Sequence, residues 1–257
     1  MKELPTGVTL GDPAGIGPEI VAKMFAEPGF HQENRAVVVG DQKILERAVR
    51  LLGLPLRVNV VSEPGQGVYE PGDVDLVPAS ELPEDLPFGE LDGRAGAAAY
   101  EYVRRAVELA QNGEIRAIAT APLNKEALHR AGLKYPGHTE ILAELTSTKD
   151  YAMMLVAEEL RVIHVSTHVS LAVAIDRVRR ERELIVIRLA YAALRKIGVE
   201  EPRIAVAGLN PVASPGTVVR LHARPPAAIS ASYLATWAVP QAAPDTSIAP
   251  PYSSDDP

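Results

Sequence analysis

At 257 residues, 47% hydrophobic and 23% charged, the chain can bury a substantial core as one large domain or two lobes, and its 5% aromatic content makes that core one of Ala, Val, Leu and Ile. The formal charge of −7 argues against nucleic acid as a partner, because an acidic field repels phosphate backbones, but it leaves room for a local pocket for one small phosphate. The lack of cysteine excludes disulfides, thiolate nucleophiles and Cys-ligated metals, so any metal must rely on His, Asp or Glu.

No stretch approaches the roughly 20 apolar residues of a membrane span, and the opening Met1 to Thr6 lacks the apolar run of a signal peptide. The expectation is a cytoplasmic protein with no membrane partner.

Short apolar runs alternate with helical patterns. Val8 to Leu10 reads as a strand, Pro18 to Ala26 as a helix, Ala36 to Val39 as a strand and Gln42 to Leu52 as a helix. Arg57 to Val60 and Val74 to Val77 are further strands, set in a looser stretch from Ser62 to Asp92 rich in Pro, Gly and acidic residues. An Ala-rich helix from Gly93 to Asn112 should stop at Asn112-Gly113 in a left-handed cap. There follow strand Ile115 to Ala119, helices Leu123 to Ala131 and Thr139 to Leu145, strands Met153 to Val156 and Val162 to Val165, helix Arg177 to Ile197 and strand Ile204 to Ala207. The alternation predicts an α/β fold of βαβ units with a largely parallel sheet.

After Pro211 the pattern stops. Residues 212 to 257 hold 8 Pro and 10 Ala with a single Gly, and no strand followed by a helix. Local preferences there do not converge on one architecture. Two accounts are open, a natural Pro/Ala-rich tail and a shifted reading frame.

Five motifs stand at strand ends. Gly11-Asp12-Pro13-Ala14-Gly15-Ile16-Gly17-Pro18-Glu19 joins a strand to a helix, where glycines admit a ligand or simply a tight turn; it is neither a Walker A loop nor G-x-G-x-x-G. Thr120-Ala121-Pro122-Leu123-Asn124-Lys125 reads either as an anion contact or as a helix cap. Tyr135-Pro136-Gly137-His138-Thr139-Glu140 brings an imidazole, a hydroxyl and a helix N-terminus together, which suits phosphate; the alternative is that Thr139 caps the helix and His138 is merely exposed. Ser166-Thr167-His168-Val169-Ser170 offers His168 as a metal ligand, though one His makes no metal site, and His164 reads as packing. Ala207-Gly208-Leu209-Asn210-Pro211 ends a further strand.

In this order, the motifs over residues 7 to 211 resemble the 4-hydroxythreonine-4-phosphate dehydrogenase family of vitamin B6 synthesis. The resemblance implies two lobes of mainly parallel sheet with flanking helices around a cleft, similar to isocitrate and isopropylmalate dehydrogenases. Residues 1 to 211 would form the dehydrogenase core, with a crossover between lobes near 120 to 140, and 212 to 257 an aberrant, poorly ordered tail. It further implies NAD-dependent oxidation of a phosphorylated substrate's secondary alcohol, giving a 3-oxo acid that decarboxylates to 3-amino-2-oxopropyl phosphate. A related activity on D-erythronate or D-threonate 4-phosphate, and a non-catalytic remnant, are the alternatives. By resemblance His138 and Thr139 match substrate contacts and His168 the first of three histidines for a divalent ion (Zn, Mg or Co). The second should follow Asn210-Pro211, where this chain has Val212, so the metal site is incomplete; His222 stands in an unrelated context. The family implies a homodimer. Catalytic and NAD-binding residues are not assigned.

Overall fold

The computed structural model describes residues 4–83, 85–157, 160–208 and the strand at 233–238, and it divides into two units, Met1–Lys149 and Asp150–Pro257. Residues 120–140 lie within the first unit.

The first unit runs β1 (Thr6–Thr9), α1 (Gly17–Ala26), a short α2 (Phe30–Glu33), β2 (Ala36–Gly40), α3 (Gln42–Leu52), β3 (Arg57–Val60), β4 (Asp73–Pro78), α4 (Gly93–Gln111), β5 (Ala117–Thr120), α5 (Lys125–Arg130) and α6 (His138–Leu145). Its five strands form a wholly parallel sheet in the order β3-β4-β2-β1-β5. β2 is buried along its whole length, as a central parallel strand covered on both faces should be. Alternation sends Val38 toward Ile44, Leu45 and Val21 of the helices, and Val37 and Val39 toward Ala106 and Leu109.

Local chemistry fixes the ends of these elements. Asp92 caps α4 by accepting from the Arg94 N–H at 2.7 Å, and Gly113 beyond its other end takes φ 73°, the left-handed turn read from Asn112-Gly113. Asp41, 1% exposed, caps α3 by accepting from the Ile44 N–H at 3.2 Å. Its second oxygen accepts from the Leu82 N–H at 2.6 Å and the Ser80 hydroxyl at 3.1 Å, tying the helix to the segment after β4.

The second unit contains β6 (Met154–Ala157), β7 (Leu160–Ile163), α7 (Leu171–Arg177), α8 (Arg180–Lys196), β8 (Ile204–Gly208) and β9 (Tyr233–Ala238). Its sheet, β6-β7-β9-β8, is antiparallel at every described pairing. The chain is therefore α/β with a mainly parallel sheet and flanking helices, but the parallel pairing belongs to the first unit. Two residues separate β6 from β7, enough for a hairpin and too few for a parallel crossover. Val186, Ile187, Ala190 and Leu194 of α8 pack on Ile163, Ile204 and Val206. By contrast α7 buries none of its residues, and Leu171 is 85% exposed.

Several elements differ from the sequence reading, β1 beginning two residues earlier and β5 two residues later than expected. The helix expected from Arg177 to Ile197 is α8, starting three residues later at Arg180, and a separate helix, α7, precedes it where none was read. β7 lies two residues earlier than expected. β9 falls in the stretch where no strand was read, and pairs with β7 and β8. Residues 209–232, with Asn210, Pro211 and Val212 among them, and 239–257 lie outside the described residues.

Because Asp41 meets three donors in a buried place, Asp41→Ala should lower the unfolding free energy by about 2–4 kcal/mol. Urea denaturation measures this, and a loss below about 0.5 kcal/mol would contradict the assignment.

Candidate functional site

In the first unit the chain leaves β1 toward β2 on one side and returns to β5 on the other. This reversal marks the carboxyl ends of β1 and β5 as the ligand crevice of an open α/β sheet. The first two motifs meet there. Gly11 has φ 72°, and a Cβ on it would lie 2.4 Å from the Pro122 carbonyl oxygen. The Asp12 N–H donates to that oxygen at 2.8 Å. The tight-turn reading thus accounts for Gly11. Asp12 itself is buried; its carboxylate accepts from the Ala14 N–H at 2.9 Å, and burial pushes its pKa up against that bond. Arg47 of α3 clamps the loop from outside, donating to the Pro13 carbonyl at 3.2 Å and the Leu86 carbonyl at 2.6 Å while lying over the Phe88 ring.

In the second motif Asn124 caps α5, its side-chain oxygen accepting from the Glu126 and Ala127 N–H groups at 2.9 and 3.1 Å. The capping reading holds for Asn124. Thr120 and Lys125 are exposed beside it.

The third motif enters α6. Its N-cap is Gly137 in extended backbone, with no side-chain cap, so Thr139 does not close the helix and stands exposed in the first turn. His138 is half-buried, and its Nε2 is enclosed without a hydrogen-bond partner among the described residues. An uncapped N-terminus beside an imidazole and a free hydroxyl is an arrangement that receives an anion. Tyr135, just upstream, stacks on Tyr100 of α4 and donates its hydroxyl to Glu144 near the end of α6.

A protein-family model described as "Pyridoxal phosphate biosynthetic protein PdxA" matches residues 32–219. The chain belongs to this family. Among PdxA-like relatives, it is 45% identical to a D-threonate 4-phosphate dehydrogenase of Cupriavidus necator over 205 residues, covering 80% of this chain and 62% of that protein. To the D-threonate 4-phosphate dehydrogenase of Pectobacterium atrosepticum it is 47% identical, covering 79% and 63%. A crystal structure of a 4-hydroxythreonine-4-phosphate dehydrogenase from Burkholderia phymatum superposes with TM-score 0.75 at 47% identity, over 82% of this chain and 64% of that one. The chain thus spans under two thirds of the length of the relatives it matches. These relatives are named as dehydrogenases.

The remaining residue singled out from sequence lies in the second unit. His168 is exposed, with φ 57°, in the loop between β7 and the Ser170 cap of α7. Arg182 of α8 ties the start of that loop, donating to the Val165 carbonyl at 3.0 Å and the Tyr151 carbonyl at 2.9 Å. Among the described residues no group of three or more His, Asp or Glu stands ready to hold a metal ion. The described residues therefore do not fit the divalent ion that the PdxA resemblance implies. His164 follows β7, half-buried, with Nδ1 enclosed.

Sequence reasoning assigned no role to Asp12, Arg47, Tyr135 or Glu144. Asp12 and Tyr135 sit inside quoted motifs. Arg47 and Glu144 carry no local signal, because their partners lie across the fold or two helical turns away.

Burial pushes the His138 imidazole below its usual value of 6.5. The folded state therefore prefers it neutral, and the unfolded chain takes up the proton first as pH falls. The stability this group contributes is complete above pH 6.5 and is lost as pH falls through the lower folded value. Urea midpoints of the wild type should drop, relative to His138→Gln, as pH falls below about 6.5. Parallel pH curves for the two proteins would contradict the burial.

Proposed function

We propose that this chain carries the substrate-binding part of an NAD-dependent dehydrogenase acting on a four-carbon acid with a 4-phosphate, and that the acid is D-threonate 4-phosphate. The substrate choice rests on the dehydrogenases of that name, 45% and 47% identical to this chain. The α6 N-terminus with His138 and Thr139 is the corner that takes the phosphate, and it suits any 4-phosphorylated acid. A second reading, 4-(phosphooxy)-L-threonine as substrate in pyridoxine phosphate synthesis, is favoured by the solved relatives, named as 4-hydroxythreonine-4-phosphate dehydrogenases, and by the family's name in pyridoxal phosphate biosynthesis.

The two readings share one reaction. The carbinol at position 3 would be oxidised to a ketone, NAD when bound supplying the hydride acceptor and a base the place for the hydroxyl proton. The resulting 3-oxo acid releases carbon dioxide, and the enol left behind takes a proton. D-threonate 4-phosphate gives dihydroxyacetone phosphate; the aminated acid gives 3-amino-2-oxopropyl phosphate. The part assigned to this chain's own residues is to fix the phosphate end, so that the reacting carbon is held in one place with water excluded.

His168 is the metal ligand assigned by resemblance, and Val212 stands where the second is expected. We therefore expect turnover at least about a hundredfold below that of the longer relatives, because a divalent site needs about three protein ligands. NADH formation at 340 nm with each acid, in the presence of Zn, Mg or Co, is the assay. Calorimetry should show D-threonate 4-phosphate binding more tightly than the aminated acid, and the reverse order favours the second reading. Val212→His should not restore turnover, since the third histidine is still missing; full activity from either protein would refute the account.

The family also implies a homodimer. Leu155, Val156, Leu171 and Ile175 of the second unit are exposed apolar residues of the kind a second copy covers. Sedimentation equilibrium should give a dimer that Leu171→Asp shifts toward monomer; an unchanged mass for the variant would remove Leu171 from that surface.

A further inference from the structure

The approach to α6 is a short loop, residues 131–137, that includes Gly132 at φ 83° and ends on Gly137. Such a loop does not hold one path by backbone preference alone. Pro136 fixes its own φ and keeps the Tyr135 backbone out of the helical region, but neither restraint sets where the Tyr135 side chain is held, so the direction in which the chain enters the helix depends on the contacts of that side chain. Two contacts do so. The Tyr135 ring stacks on Tyr100 of α4, with centroids 5.8 Å apart and planes 12° apart. Its hydroxyl donates to Glu144 Oε1 at 2.8 Å, nine residues along the chain and near the far end of α6. The side chain therefore lies along α6 while its ring is held by α4. Around it Leu133, Tyr135, Leu142 and Leu145 pack on Val103, Leu128 and Ile141.

We propose that Tyr135 and Glu144 are positioning residues for anion binding: their hydrogen bond fixes the loop along α6, and so sets where His138, Thr139 and the first-turn N–H groups stand toward a phosphate. The proposal rests on the reading of this corner as the phosphate site. Neither side chain needs to touch the ligand. A carboxylate acceptor makes this bond stronger than a neutral pair, and raises the Tyr135 pKa to about 12, so the phenol keeps its donor proton throughout the neutral range. Glu144 belongs to the last turn of α6, away from its positive end, so its charge is placed to orient the tyrosine without crowding an incoming anion.

Calorimetric titration of the full chain with D-threonate 4-phosphate and with unphosphorylated D-threonate tests this. Tyr135→Phe keeps the ring on Tyr100 and removes only the bond; it should weaken the phosphorylated ligand about fivefold, with little change for D-threonate and in the urea midpoint. Glu144→Ala should do the same, Glu144→Gln should recover most of the affinity because its amide oxygen still accepts, and the double variant Tyr135→Phe/Glu144→Ala should be no worse than either single one. Equal losses for both ligands, or additive losses in the double variant, would overturn the positioning role in favour of a structural one. A wild-type preference for the phosphorylated acid that His138→Ala abolishes and Tyr135→Phe leaves intact overturns this proposal alone. No such preference in the wild type, or one that His138→Ala leaves unchanged, overturns the phosphate reading and this proposal with it.

Discussion

The first unit is built around a backbone contact that leaves no room for a side chain. Gly11 rests against Ala121 and Pro122 so closely that a Cβ would overlap the Pro122 carbonyl, and the Asp12 N–H closes the contact. Through it the loop after β1 and the loop after β5 become one object at the reversal point of the sheet. Arg47 then holds that object to Leu86 and Phe88. The same device recurs one layer out: a Cβ on Gly96 of α4 would lie 2.1 Å from the Ala127 carbonyl of α5. Close packing of α4 on α5 gives α6 its base, because Leu128 of α5 and Ile141 of α6 share a cluster with Val103 of α4. The entry to α6 thus hangs from a chain of backbone approaches that begins in two glycines. Bulk at either would displace elements and not just fill space.

The parallel core was legible because period and punctuation agreed. Gln42 to Leu52 has a capping Asp before it and Gly53 after it, and the helix begins and ends where those signals stand. Ala36 to Val39 is a continuous apolar run, which in a short segment means a strand buried on both faces. The second unit was harder for a stated reason. The strands expected at Met153 to Val156 and Val162 to Val165 were separated by too few residues for a helical crossover, so the hairpin was implicit in the spacing while the alternation of elements suggested otherwise. α7 was missed because Leu171-Ala-Val-Ala-Ile lacks a buried stripe; its apolar residues face outward, and periodicity reports burial.

Site chemistry was legible only as far as it is local. The Gly137-His138-Thr139 entry to a helix can be read from three adjacent residues. That His138 would be half enclosed, and Gly137 and not Thr139 the cap, is named by no local pattern. Of the glycines in the first motif, Gly11 is explained by packing, a reading the sequence left even with ligand contact. Membership in the PdxA family is shown, while the relatives differ in the acid they are named for, D-threonate 4-phosphate or 4-hydroxythreonine 4-phosphate, which carry a hydroxyl or an ammonium group at the second carbon.

The account stands on the claim that the α6 N-terminus is where a substrate phosphate is held. Amide hydrogen exchange of the full chain, followed residue by residue with D-threonate 4-phosphate and with D-threonate, tests that claim most directly. The account predicts slowed exchange at the His138, Thr139 and Glu140 N–H groups with the phosphorylated acid and not with the free acid. Unchanged exchange at these three amides under saturating phosphorylated ligand would contradict it.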